Sequence, residues 1–428
     1  MMKKKVLVVS LLMAAKAASA QSMVEVYGIF DIGIGHSIHS PSEDYIYGQA
    51  MTPNAVKTGD HAVTGMFNGG LSSSRIGFRG TEDMGNGLKA IFNLENGFQS
   101  PHGTIANSVG SLAYNTTKNQ TTVDGDGSQA GQLFNRQANV GLSGAFGTVL
   151  AGRTYSLGQD VVNVFDPMDG SGVFSPIGYS GTYGGGGFSQ NLRFDNSVRW
   201  KYLSKATGWN IGALYKFGGQ SGSTSAQSAY QVSGGYENGP FAIEAMYGKA
   251  KDAIQAGSSA TLGLVNVTVA DTTTYTAATS YVWRDAHFRV GYQRQNFDNP
   301  SNPDLDKAIT TDLGYPISVV TITAYTHRKT LDVYFGGVNY AFTPAFTGSV
   351  AYYQINQNDY SGGACKTGID QSTCSGKNKF YSFLGDYSLS KRTHLYAGIM
   401  FDTVSGGFSS GFLHNTSNLA GAGIKHSF

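Results

Sequence analysis

Cysteine is nearly absent from this chain, with two in 428 residues, and that excludes both a disulfide-dense scaffold and a cysteine-based metal cluster. Charged residues make up only 14%, against about 25% in an average protein. Outside the extreme N-terminus no stretch approaches the roughly 20 apolar residues that cross a bilayer as a helix. The uncharged run from Gly170 to Leu192 is built of Gly, Ser and Tyr rather than Leu and Val. A helical membrane protein is therefore excluded. Glycine is abundant instead, at 58 residues, but no Gly-X-Y period runs through it, so collagen is excluded too. Aromatics at 12% and hydrophobic residues at 40% are too apolar for a disordered chain. A large all-β protein remains.

The first twenty residues read as a signal peptide. Lys3, Lys4 and Lys5 form a basic start, Val6 to Ala15 a short apolar core interrupted by Lys16, and Ala18-Ser19-Ala20 a small-residue cleavage site before Gln21. The alternative, an amphipathic first helix, fits poorly with the period-2 pattern that begins after Ala20. Residues 1–20 are thus expected to be removed and 21–428 to form one domain. Removal takes four lysines and no acid, turning the net charge of +2 into −2, and bulk charge gives no support for nucleic-acid binding. Export also places Cys365 and Cys374 in an oxidising space, where a pair nine apart most simply closes a loop. Such a closure is worth roughly 2–3 kcal/mol on the loop-entropy model.

From Gln21 onward, segments of about ten residues alternate apolar and polar. In Ser74 to Gly80, Ile76 and Phe78 fall on one side and Arg75, Gly77 and Arg79 on the other. In Arg193 to Tyr202, Phe194, Asn196, Val198, Trp200 and Tyr202 alternate with Arg193, Asp195, Ser197, Arg199 and Lys201. A soluble β-sandwich alternates as well, but three features favour a transmembrane barrel. Charges occupy the polar face in mid-strand, while the apolar face ends in Tyr, Phe or Trp, as girdles at two lipid interfaces require. Tight connections such as Glu82–Asn86, Lys205–Gly208 and Ser390–Arg392 interleave with long polar ones, and the chain closes on a strand ending in Phe428. The pattern predicts a sixteen-stranded antiparallel transmembrane β-barrel, with strand two over 71–81, the first long loop over 37–70 and the third over 155–190. An even count of sixteen leaves a water-filled interior.

Several stretches carry a family likeness: Ser74-Arg75-Ile76-Gly77-Phe78-Arg79-Gly80-Thr81-Glu82-Asp83, Gly87-Leu88-Lys89-Ala90-Ile91-Phe92, Asn135-Arg136-Gln137-Ala138-Asn139-Val140-Gly141-Leu142, Phe146 to Arg153, Asp195 to Trp200 and the terminal Gly423 to Phe428. Together, and in this order, they resemble the general porins of Gram-negative bacteria, the beta-proteobacterial branch above all. The resemblance implies a homotrimer in the outer membrane, with the third loop folded into each pore, the second reaching toward a neighbour, and passive diffusion of small hydrophilic solutes and inorganic ions. It implies no enzyme activity and no cofactor. Two departures stand out. The third loop carries Phe165-Asp166-Pro167-Met168-Asp169-Gly170 where enterobacterial relatives have Pro-Glu-Phe-Gly. Asn139 stands where a lipid-facing aromatic is expected, suggesting that part of strand four faces another subunit.

Alternation places Arg75, Arg79, Lys89, Arg136 and Arg193 on the lumen side. By resemblance Arg75 and Arg136 match the constriction arginines, and Arg193 matches more loosely. Arg153 joins the candidate basic wall, or binds a neighbour's loop. Asp160, Asp166 and Asp169 of the third loop are expected to face this wall across the pore, although Asp166 before Pro167 is also a turn former. Arginine suits such a wall because its guanidinium stays charged when crowded. Basic groups against three loosely placed acids predict a weak anion preference. A substrate-specific channel remains an alternative, since the third loop holds Tyr155, Phe165, Phe174, Tyr179, Tyr183 and Phe188, as does a surface adhesin carried by the long loops. Gly184–Gly187 lacks the Lys and Ser/Thr of a phosphate loop. Asp124-Gly125-Asp126-Gly127 has Asn135 where a calcium loop needs Glu. No H-E-x-x-H occurs, and no metal site is expected.

Overall fold

The computed structural model describes residues 23–40, 61–101, 103–105, 133–177, 193–219, 221–252, 255–256, 267–268, 271–301, 311–312, 315–316, 327–365, 373–408 and 416–428. The signal peptide, the Asp124–Gly127 stretch, the glycine run at 184–187 and Tyr179, Tyr183 and Phe188 lie outside them.

The strands are β1 (Met23–Ser40), β2 in two pieces (His61–Asn68 and Arg75–Gly85), β3 (Leu88–Gln99), β4 (Gln137–Gly144), β5 (Gly147–Tyr155), β6 (Arg193–Leu203), β7 (Trp209–Lys216), β8 (Ala229–Asn238), β9 (Phe241–Ala250), β10 (Asp271–Trp283), β11 (Ala286–Asp298), β12 (Lys329–Thr343), β13 (Phe346–Gln357), β14 (Gly376–Ser388), β15 (Thr393–Gly406) and β16 (Thr416–Ser427). Each pairs antiparallel with the next. β16 returns to β1, with Ile29 opposite Ser427 and Ile38 opposite Asn418. The described strands thus close into a ring without a free edge, as a lipid surround demands. Among the described residues no helix is long and apolar enough to cross a membrane.

Short turns rely on residues that tolerate positive φ. Gly85, Asn86 and Gly87 have φ of 87°, 54° and 77° in succession, a reversal few other triplets allow. β2 therefore runs to Gly85, a few residues past its predicted end. It also begins earlier than expected, because His61–Asn68 pairs with the upper part of β1, Ile32 facing Asn68, while Arg75–Thr81 pairs with its lower part. The stretch 69–74 between them leaves the ladder, so the predicted first long loop contains half a strand.

The outer face carries two aromatic rows. Phe241 and Tyr247, Tyr275 and Tyr281, Tyr334 and Tyr340, Phe346 and Tyr352, and Tyr381 and Tyr387 each stand six residues apart on β9, β10, β12, β13 and β14. Six steps of strand are about 20 Å. Neighbouring strands bring these rings together: Tyr247 lies 5.2 Å from Tyr275 and Tyr352 lies 5.1 Å from Tyr381. Exposed Ile243, Val350 and Phe383 fill the band between the rows. From β1 to β5 the outward positions are Val24, Val26, Phe30, Ile34, Ile76, Phe78, Val140 and Leu142, with no Tyr or Trp.

Cys365 and Cys374 are disulfide-bonded in the seventh long loop, with Cα atoms 5.0 Å apart.

Candidate functional site inside the barrel

Three predicted arginines converge on the inner wall of β1–β6. Arg136, just before β4, lies against Glu95 of β3 with Nε 2.7 Å from Oε1, and its Nη2 donates to the Tyr155 hydroxyl at 2.7 Å. Arg193 at the start of β6 donates to the same hydroxyl at 3.2 Å and stacks its guanidinium 4.6 Å from the Tyr155 ring centre. Tyr27 of β1 donates to Glu95 Oε2 at 2.9 Å. Arg75 stands beside them: its register partner is Gly97, where a Cβ would lie 3.0 Å from Arg136 Cδ, and its Nε donates to the Ser73 carbonyl at 3.0 Å. Three guanidiniums thus share a single nearby carboxylate, that of Glu95, which is 3% exposed. Burial strengthens every Coulomb interaction in the group relative to water.

Of the other basic candidates, Arg79 and Lys89 stand apart, and Arg153 lies at the edge of the cluster with an acid of its own. Arg79 faces Asn93, one inward step below Glu95, and forms an exposed pair with Glu25 at 2.8 Å. It lines a recess of about 250 Å³ with Glu25, Asn93 and Asn139. Lys89 lies opposite Asp83 and Ser143 near the short-turn rim, six residues or about 20 Å of strand from Glu95. Arg153 donates to the Asn135 carbonyl at 2.8 Å and ion-pairs with Asp195.

Asn139 corrects an expectation. It pairs with Asn93, whose side chain accepts from the inward Tyr27, so it faces the lumen and is 5% exposed. Its outward neighbours are Val140 and Leu142, at 60% and 42%, and its polarity carries no information about a second subunit.

The third long loop folds inward and begins with a helix, α1 (Leu157–Phe165). The sequence signs for it are Ser156, which caps by accepting from Gln159 N at 3.0 Å, and Leu157, Val161, Val162 and Phe165 at helical spacing. Those four are buried against the inner wall together with Leu214, Met246 and Ala278. Beyond α1 the loop follows the wall. Arg289 of β11 donates to the Asp166 carbonyl at 2.8 Å, Asn339 of β12 to the Pro167 carbonyl at 2.7 Å, and Ser171 to the Gly70 carbonyl at 2.5 Å. Wall glycines make room: a Cβ on Gly212 would lie 3.0 Å from Leu157, one on Gly337 2.6 Å from Pro167, and one on Gly398 2.9 Å from Phe174.

The loop acids therefore do not hang free opposite the arginines. Asp160 is tied to the wall by Arg199 and by Lys201 Nζ at 2.7 Å. Asp166 is fully buried, accepting from Tyr353 at 2.5 Å and from Gly170 N at 2.8 Å. Burial pushes its carboxyl above the usual aspartate range, against the opposing pull of Tyr353 and its other donors. Asp169 alone of the three is well exposed, at 65%, and it is paired with Arg289. The exposed face of the described loop is Asn163, Val164 and Asp169. Phe165 and Phe174 are buried at 2% and 0%, so neither forms an aromatic rank along the pore.

Glu95, Tyr27 and Tyr155 were not among the predicted site residues. Strand parity could have found Glu95, since it shares the face of Lys89 and Asn93; the roles of the tyrosines depend on packing between strands distant in sequence.

A closed barrel with two aromatic girdles, charged inner positions and a loop folded into its lumen is an outer-membrane diffusion channel. The chain belongs to the Gram-negative porin family, whose model matches residues 7–407. An outer membrane porin protein of Bordetella pertussis is 29% identical over the full length of both chains. Outer membrane porin protein 32 of Delftia acidovorans is 30% identical over 61% of this chain and 63% of its own. Among solved structures, an anion-selective porin from Comamonas acidovorans superposes with a TM-score of 0.66 at 19% identity, covering 95% of this chain and all of that one. The protein is thus an outer-membrane porin, crossing the membrane with its strands.

Proposed function

We propose that the pore narrows between the Arg75–Arg136–Arg193 cluster and the Asn163–Asp169 face of the third loop, and that this waist makes the channel weakly anion-preferring. The observation that carries the reading is the charge count: three guanidiniums gather near the Glu95 carboxylate, while the single exposed acid of the described loop residues is already paired with Arg289. An anion entering a narrow, low-dielectric stretch meets fixed positive charge there, while a cation pays desolvation without compensation. Arg79 and Arg153 are each paired with an acid, Glu25 and Asp195, and Lys89 lies opposite Asp83, so these three leave the balance at the waist unchanged. The anion-selective name of the structural neighbour is consistent with this reading.

The outer wall of β1–β5 supports a homotrimer: it lacks the tyrosines that mark the lipid interfaces elsewhere and presents Val, Ile, Leu and Phe for packing against a neighbour. Liposome swelling with size-matched anionic, neutral and cationic solutes tests the channel reading. Rates falling smoothly with size and highest for the anion are expected. A faster cation contradicts the waist, and one solute far off the size trend means a specific binding site instead.

A further inference from the structure

We propose that Asp31 is a positioning residue for the waist, its carboxylate fixing the break in β2 so that one short segment both carries Arg75 and receives the third loop. The proposal rests on the reading that Arg75 contributes to selectivity. Asp31 points inward from β1 and is 0% exposed. Oδ1 accepts from Gly70 N at 3.1 Å and from the Tyr396 hydroxyl of β15 at 2.6 Å, and Oδ2 accepts from Leu71 N and Ser72 N, both at 2.8 Å. Three consecutive backbone amides converging on one anion form a nest, filled here by the protein's own side chain. The Asp31 backbone joins the same segment, its N–H donating to Ser74 Oγ at 2.9 Å and its carbonyl accepting from that hydroxyl at 2.9 Å and from Ser100 Oγ at 2.6 Å.

The nest has directional consequences. In a trans peptide the N–H and C=O point opposite ways, so turning Leu71 N–H toward Asp31 turns the Gly70 carbonyl away from it, toward Ser171 Oγ of the third loop at 2.5 Å. At the other end of the segment, the Ser73 carbonyl accepts from Arg75 Nε at 3.0 Å and the Ser72 hydroxyl lies 3.5 Å from Nη2. One carboxylate thereby sets the direction of the loop's attachment and the seat of a waist arginine. Only glycine fits at position 70, where a Cβ would stand 2.2 Å from the Tyr396 oxygen.

Asp31→Asn keeps the side-chain size but replaces one acceptor oxygen with a donor facing other donors. Zero-current potentials across a salt gradient and single-channel records are compared for wild type, Asp31→Asn, Arg75→Gln and Ser171→Ala in planar bilayers, with folding checked by circular dichroism. Asp31→Asn is expected to lose at least half of the anion preference that Arg75→Gln loses and to show added open-channel flicker; Ser171→Ala should flicker with selectivity largely kept. A folded Asp31→Asn channel with wild-type selectivity overturns the proposal. If Arg75→Gln also leaves selectivity unchanged, the waist reading itself has failed. Should Asp31→Asn not fold, Tyr396→Phe removes one of the four donors and must shift the potential in the same direction; an unshifted potential overturns the proposal equally.

Discussion

Glu95 accepts from Tyr27, Tyr155 and Arg136 at once, so removing its charge and removing that of Arg136 should have opposite effects on permeation. Glu95→Gln is expected to raise the anion preference, and Arg136→Gln to lower it and to speed larger solutes. Both break a buried ion pair, a loss that typically costs roughly 3–5 kcal/mol, so the potentials must be taken on folded channels. Equal shifts in one direction from both variants would show that the cluster acts sterically rather than by charge. At this scale the sequence was partly legible. Strand parity placed Arg75 and Arg193 on the inner face, because a period of two leaves little freedom once one side meets lipid; Arg136 shares the parity of the outward Val140 and turns inward because it precedes the first residue of β4, Gln137. It could not show that Asp160 and Asp166 are spent on holding the loop, since their partners Arg199, Lys201 and Tyr353 lie 39, 41 and 187 residues away.

The third loop is held by contacts from β6 round to β15 and by the break in β2, and its side toward the wall is largely apolar. The strand alternation is thus modified where it matters most: Leu214, Met246, Phe335, Tyr353 and Met400 are buried inner-wall residues, although inner positions of a water-filled barrel are expected to be polar. They answer Val161, Phe165, Met168 and Phe174 of the loop. Tyr353→Phe removes the hydroxyl that bonds Asp166 and leaves a buried carboxylate short of a donor, a loss of about 1–3 kcal/mol. The expected result is a channel of normal β content with noisier open-state current and higher mean conductance; unchanged noise would mean the loop is secured without this bond. The number and order of the strands were legible, because alternation and turn residues are local signals, although β2 runs four residues past its predicted end. The helix and the split in β2 were not, because both exist to serve the loop: α1 hides within a stretch read as connection, and 69–74 leaves the ladder to meet Asp31 and Ser171.

At the scale of the molecule, the outer surface divides into a girdled part over β9–β14 and a part over β1–β5 that carries no outward Tyr or Trp. Arginine at either surface reports which neighbour it has. Val350→Arg, between the two aromatic rows, should cost roughly 2–4 kcal/mol of folding stability in lipid and leave assembly intact. Val140→Arg should instead shift unheated protein from a trimer to a monomer band on detergent gels; a persisting trimer would mean association uses another surface. The central claim, that a wall of three guanidiniums against a largely neutralised loop sets the permeation preference, is tested most directly by the zero-current potential of the wild-type channel in a tenfold potassium chloride gradient. A modest potential of the sign that marks chloride as the more permeant ion is expected, shrinking as salt screens the wall. A potential of the opposite sign, marking potassium as the more permeant ion, would contradict it.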